Sequence, residues 1–182
     1  MRNAHANQAG YTLIELIVTV TVIAVIASIA VPAFSSGSDK RLHVAAAEFA
    51  AAMRFARTES IRTGKPYGFR QQSTDKRFRV FRLDETSNPP TPVYDVYHPV
   101  DKQLYDIVLD LHPLADADTV VRTPTYRGVC TKTGYVYFDE NGTAWCTDPD
   151  NVLLMTFEVQ LDLGTDRRTV TLDGITGRVT VQ

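Results

Sequence analysis

The chain has 182 residues, with 19 basic and 21 acidic side chains and a net charge of −2. That balance excludes bulk attraction to nucleic acid or to an anionic membrane surface, and the length suits one compact domain with an appendage. The apolar residues, 44% of the total, are unevenly spread, with the long aliphatic density close to the N-terminus.

Residues 1–10 are polar and end on Gly10. An apolar run follows at 11–34, and Glu15 is its only charged residue. At about 1.5 Å per residue, a helix of this length covers about 36 Å, enough for a hydrocarbon core of roughly 30 Å. The run exceeds the roughly 7–15 apolar residues of a secretory signal and is followed by no small-residue cleavage site. It is therefore expected to remain as a membrane helix. Arg2 on one side and Lys40 and Arg41 on the other do not decide its orientation. Pro32 lacks an N–H and is expected to kink the helix or loosen a turn.

Beyond a polar interruption at 35–39, Leu42, Ala45, Phe49, Ala52 and Ala56 recur at spacings of three and four, with Met53 beside them. Arg41, Glu48, Arg54, Arg57 and Glu59 take the other positions. This pattern predicts a surface helix with one buried stripe. Thr63-Gly64-Lys65-Pro66 stops it, with glycine for a left-handed cap and proline shortly after.

The period then shifts to two. Segments 67–70, 77–83, 103–111, 134–138, 153–161, 169–172 and 177–181 read as strands. Asn141-Gly142 marks a hairpin turn. Residues 87–99 hold Pro89, Pro90, Pro92 and Pro99 and read as an irregular surface loop, a surface for partner recognition. The expected architecture is α+β: a helical spine laid on a small antiparallel sheet, divided as 1–10, 11–34, 35–63 and 64–182.

No nucleophile elbow, phosphate-binding loop or paired zinc motif is present. His5, His43, His98 and His112 are dispersed, and Asp148-Pro149-Asp150-Asn151 lacks the spacing of a calcium loop and reads as a turn. The chain is expected not to be an enzyme and to need no metal, cofactor or small-molecule substrate. Cys130 and Cys146 are expected to be bonded if their half of the chain lies outside the cytoplasm; the other reading is two buried thiols.

Glu15 is the most informative residue. A carboxylate in an apolar helix costs roughly 2.5–3.5 kcal/mol on insertion scales, so it marks a function unless it snorkels to the interface. Its neighbours, Gly10-Tyr11-Thr12-Leu13-Ile14-Glu15-Leu16, resemble the class III signal of type IV pilins and type II secretion pseudopilins. The resemblance implies a pilin fold, cleavage by a prepilin peptidase between Gly10 and Tyr11, and N-methylation of Tyr11, which stands where the family usually has Phe. It implies that Glu15 pairs with the terminal ammonium of a neighbouring subunit, two charges that are costly apart in lipid becoming tolerable together. A proline such as Pro32 is also common in the family's first helix. Partners implied are other major and minor pilins or pseudopilins, the peptidase and an inner-membrane assembly platform. The implied location is the bacterial inner membrane, N-terminus cytoplasmic and head periplasmic, and then the fibre.

Two later segments resemble the FimT/FimU and GspH branch. Ala56-Arg57-Thr58-Glu59-Ser60-Ile61 is similar to its Ala-Arg-Ser-Glu-Ala-Ile pattern, and Phe138-Asp139-Glu140-Asn141-Gly142 to its Phe-Asp-x-x-Gly hairpin. Val31-Pro32-Ala33-Phe34 resembles the Val-Pro-Ser-Phe run of minor pilins, which implies a minor pilin that initiates or caps a type IV pilus. The alternative is a GspH-type pseudopilin of a type II secretion system. A third reading is a DNA receptor, since some FimT-like pilins use a Gly-Arg-x-Arg tail. Here the tail is Gly177-Arg178-Val179-Thr180, without the second arginine. Arg167 and Arg168 are near in sequence and would have to rebuild a basic patch, against Asp162, Asp166 and Asp173; a solvated strand end is the reading these charges favour.

Overall fold

The computed structural model describes residues 12–72, 74, 76–87, 90–111, 118–127, 135–147 and 151–182, with the backbone alone at 27–38. The chain divides into two compact units, Met1–Gly37 and Ser38–Gln182. Helix α1, Leu13–Thr63, begins in the first and ends in the second. Its backbone is unbroken through Pro32 and through 35–39, so the polar interruption is a change of composition and not of conformation.

In the first unit Thr12 caps the helix. Its carbonyl accepts from the N–H groups of Glu15 and Leu16 at 3.1 and 3.2 Å. Its Oγ1 accepts from the Glu15 N–H at 3.3 Å, satisfying one of the donors that every helix start leaves open. All described side chains from 12 to 26 are exposed.

In the second unit α1 buries the stripe read from the sequence. Leu42, Ala45, Phe49, Ala52, Met53 and Ala56 are fully buried, together with Ala46 and Ala50. The helix ends as expected: Gly64 takes φ +65°, and its N–H donates to the Ser60 carbonyl at 2.9 Å.

The strands form two antiparallel sheets where one small sheet was expected. The first contains β1 (Tyr67–Gln72), β2 (Arg77–Asp84), β3 (Thr91–Val93), β4 (Asp106–Val108), β7 (Val136–Phe138), β8 (Ala144–Cys146) and β9 (Val152–Leu153). Its order is β3-β2-β1-β7-β8-β9, with β4 sharing the β3 edge of β2. The second contains β5 (Val120–Val121), β6 (Thr125–Arg127), β10 (Thr156–Leu163), β11 (Asp166–Asp173) and β12 (Val179–Val181), in the order β12-β11-β10-β5, with β6 also on β10. In β10, Phe157, Val159, Leu161 and Leu163 alternate inward. The core joins both sheets to α1: Phe69 lies 5.1 Å from the rings of both Phe78 and Phe157, and Phe49 stacks on Phe78 at 4.8 Å.

Four expectations need correction. The segment 153–161 is not one strand: Val152–Leu153 joins the first sheet and Thr156–Leu163 the second. The buried Leu154 makes the crossing, its N–H donating to the Ala144 carbonyl at 3.0 Å. Only Asp106–Val108 of 103–111 is strand, and Leu109–Leu111 coils into a 3-10 turn. The proline-rich segment is not wholly irregular, because Thr91–Val93 pairs with β2 at the sheet edge, where a proline is tolerated. Strand 169–172 extends to Asp166–Asp173.

Candidate functional site

Two surfaces carry the features that point to assembly. On the first unit, Leu13, Ile14, Leu16, Ile17, Val18, Val20, Val22, Ile23, Val25 and Ile26 are each more than half exposed. The polar groups among them turn inward on their own helix. Thr19 Oγ1 donates to the Leu16 carbonyl at 2.9 Å, and Thr21 Oγ1 to those of Ile17 and Val18 at 3.0 and 2.8 Å. The segment thus offers an apolar surface with its hydroxyls satisfied, and Glu15 in its first turn is the exception. Among the described residues no helix is long and apolar enough to cross a membrane; the apolar run 11–34 continues beyond those side chains.

On the second unit, the two segments compared with the FimT/FimU and GspH branch form one structure. Ser60 Oγ donates to the Asp139 carbonyl at 2.6 Å, and Arg57 Nε to the Gly142 carbonyl at 3.1 Å. Asp139 organises the hairpin turn itself: Oδ1 accepts from the N–H groups of Asn141 and Thr143, both at 2.9 Å, and Oδ2 from Trp145 Nε1 at 3.0 Å. Gly142 has φ +77°, and a Cβ there would lie 2.7 Å from Ile61 Cδ1. Gly177 takes φ +66°, and a Cβ on it would displace the same arginine's side chain. Arg54 Nη2 adds a bond to the Val179 carbonyl at 2.9 Å. One face of α1 is thereby latched to the 139–142 turn, the 173–177 turn and β12. The sequence indicated the two segments but not their junction, nor the role of Gly177.

The basic residues weighed for DNA are not brought together. Arg178 lies beside Asp173 at one end of β11, whereas Arg167 and Arg168 lie at the other, about 20 Å away at strand spacing. Arg167 Nε donates to Asp162 Oδ1 at 2.7 Å, Arg122 shares that carboxylate, and Arg168 pairs with Asp39 at 2.6 Å. Hydrogen bonds from Arg167 and then Arg122 hold the Asp162 carboxyl below its usual range against the opposing effect of burial. The small basic patch contemplated from sequence is therefore not assembled.

Gly10 and Tyr11, the expected cleavage and methylation positions, lie outside the described residues, as do Cys130, His5, His112 and 148–150; so does the side chain of Pro32. Cys146 is buried on β8, opposite Val136.

Residues 5–31 match the prokaryotic N-terminal methylation motif, and 45–177 match the type II transport protein GspH family. The fold is similar to that of the minor pseudopilin EpsH from the type 2 secretion system of Vibrio cholerae. One EpsH structure is 12% identical with a TM-score of 0.53, over 78% of this chain and 96% of that one. A second is also 12% identical at 0.53, over 79% and 94%. The type IV minor pilin FimU of Pseudomonas aeruginosa is 15% identical at 0.47, over 78% and 87%. Among curated proteins, none matches the chain.

Proposed function

The chain belongs to the type II transport protein GspH family and is a minor pilin or pseudopilin, and from that premise we propose that it is a membrane-anchored fibre subunit cut after Gly10 and methylated on Tyr11. The observation that carries this reading is an uninterrupted apolar helical surface with one carboxylate in its first turn, inside a matched methylation motif. Ten large aliphatic side chains stand exposed there, and burying each is worth about 1.5–3 kcal/mol. Lipid first, and then the helices of neighbouring subunits, supply that burial. Glu15 pairs with the terminal ammonium of an adjacent subunit, which sets the axial register. The head is periplasmic before assembly, and the partners are other pilin-like subunits, the prepilin peptidase and the assembly platform.

Mass spectrometry of the protein recovered from membranes tests the processing: a mature chain starting at methylated Tyr11 is expected, and an intact leader overturns the reading. Glu15→Ala is expected to insert normally but to lose fibre incorporation at least tenfold. Incorporation equal to wild type would remove the charge-pairing role.

The first reading of the machine is a type IV pilus that this subunit initiates or caps, supported by the resemblance at Val31-Pro32-Ala33-Phe34. The second, a type II secretion fibre, is supported by the family's description as a transport protein. Deleting the chain decides: loss of surface pili with secretion intact favours the first, and the reverse favours the second.

A further inference from the structure

The first sheet carries an arginine pair on the face turned away from the core. Phe69, Phe78 and Val80 point into the core, so the alternation of the strands turns Arg70, Arg77 and Arg79 the other way. Arg70 on β1 and Arg79 on β2 stand directly opposite each other in register. Like charges in that arrangement repel. On the far side of Arg79, β4 places Asp106 in register, but its carboxylate lies 3.2 Å from Arg77 Nε. Among the described residues the Asp106 carboxylate pairs with Arg77, and Arg70 has no acidic partner.

Arg79 is also held ready for a ligand. Its Nη2 donates to Gln72 Oε1 at 2.8 Å, and its guanidinium sits 4.2 Å over the Tyr94 ring. Among the described residues, its Nε and the Tyr94 hydroxyl are buried without a hydrogen-bond partner. Guanidinium nitrogens only donate, so a group that bridges the two arginines is an acceptor, and the charge balance makes it an anion. Planar guanidinium forks match the two oxygens of a carboxylate, and arginine with tyrosine is the usual composition of an interface anchor. Arg70 and Arg79 are partly exposed on a sheet face, which suits a polypeptide chain laid across it.

We infer that this face is a docking surface for an acidic segment of a partner polypeptide, one of whose carboxylates bridges Arg70 and Arg79. The inference rests on the fibre-subunit reading only for the source of the partner; the binding itself requires no fibre.

The test is fluorescence anisotropy of a fluorescein-labelled tetraglutamate peptide against the full chain in nonionic detergent. Binding is expected to weaken with salt and to fall at least tenfold in Arg70→Gln/Arg79→Gln, while Arg167→Gln leaves it unchanged. A labelled tetralysine peptide is expected not to bind. Arg70→Gln alone is expected to raise the thermal midpoint by about a degree, since it relieves the repulsion, which shows that the variant folds. Absence of tetraglutamate binding, equal binding by the double variant, or equal binding of tetralysine overturns the inference. Displacement of the peptide by inorganic phosphate at equimolar concentration overturns the assignment to a polypeptide. Failure of the Glu15 experiment with arginine-dependent peptide binding intact would separate the two proposals.

Discussion

Arg57 and the two glycines around it show how few side chains fix the α1–head junction. Gly142 combines a positive φ with a neighbour 2.7 Å from where a Cβ would stand. Gly142→Ala is therefore expected to cost about 1–3 kcal/mol, read as a lowered urea midpoint at unchanged slope. Ser60→Ala removes a 2.6 Å bond from a fully buried hydroxyl and should cost about 1 kcal/mol by the same measurement. Asp162 adds a pH-dependent term. Its folded pKa lies below the ordinary aspartate value of about 3.9, so its stabilisation is complete above that value and is lost as the pH falls through the folded one. Asp162→Asn should flatten the acid limb of a plot of thermal midpoint against pH. The flattening should be partial, because Asp84, Asp101 and Asp173 are shifted in the same direction. The expected bond between Cys130 and Cys146 is checked by thiol labelling of the denatured, unreduced protein, which should then label neither residue.

Among the elements, α1 and the strands it covers share one aromatic cluster. Phe69 touches Phe78, Phe138 and Phe157 and so ties both sheets together; Phe69→Ala should cost about 3–5 kcal/mol in urea unfolding. Ala50→Leu pushes a branched side chain into a fully buried position and should cost about 1–3 kcal/mol. The helix was legible in the sequence because its alanine and aromatic stripe has a clean period and Gly64 with Pro66 punctuates its end. The Asn141-Gly142 hairpin was legible for the same local reason. The split at Leu154 was not: the continuous apolar run Val152-Leu153-Leu154-Met155 leads straight into the alternation of 156–163, and only the tertiary partners reveal two sheets. Strands β5 and β6 have two and three residues and exist through their pairing with β10, so no local pattern marks them. β8, three residues past the hairpin turn, is likewise defined by β7 and β9. Glu15 was legible because a carboxylate is costly in an apolar run. The latch of Arg54, Arg57 and Ser60 was not, because all three donate to main-chain carbonyls, which leave no side-chain signature at the accepting positions.

For the whole molecule, the family assigns the business of this chain to assembly. Glu15→Ala should leave the urea midpoint of the head unchanged while fibre incorporation falls, because Glu15 and the head belong to different compact units. A parallel loss of both would mean that the acid acts on folding and not on polymerisation. The bond from Arg54 to Val179 spans 125 positions, and those from Arg57 and Ser60 span 85 and 79. Loop closure over such separations is slow compared with local contacts. While the chain folds, the amphipathic half of α1 therefore waits, uncovered, until β12 is available to close over it. The chain is most open to proteolysis and to mispairing in that interval, so arrival of the last strand sets how long its apolar stripe stands at risk.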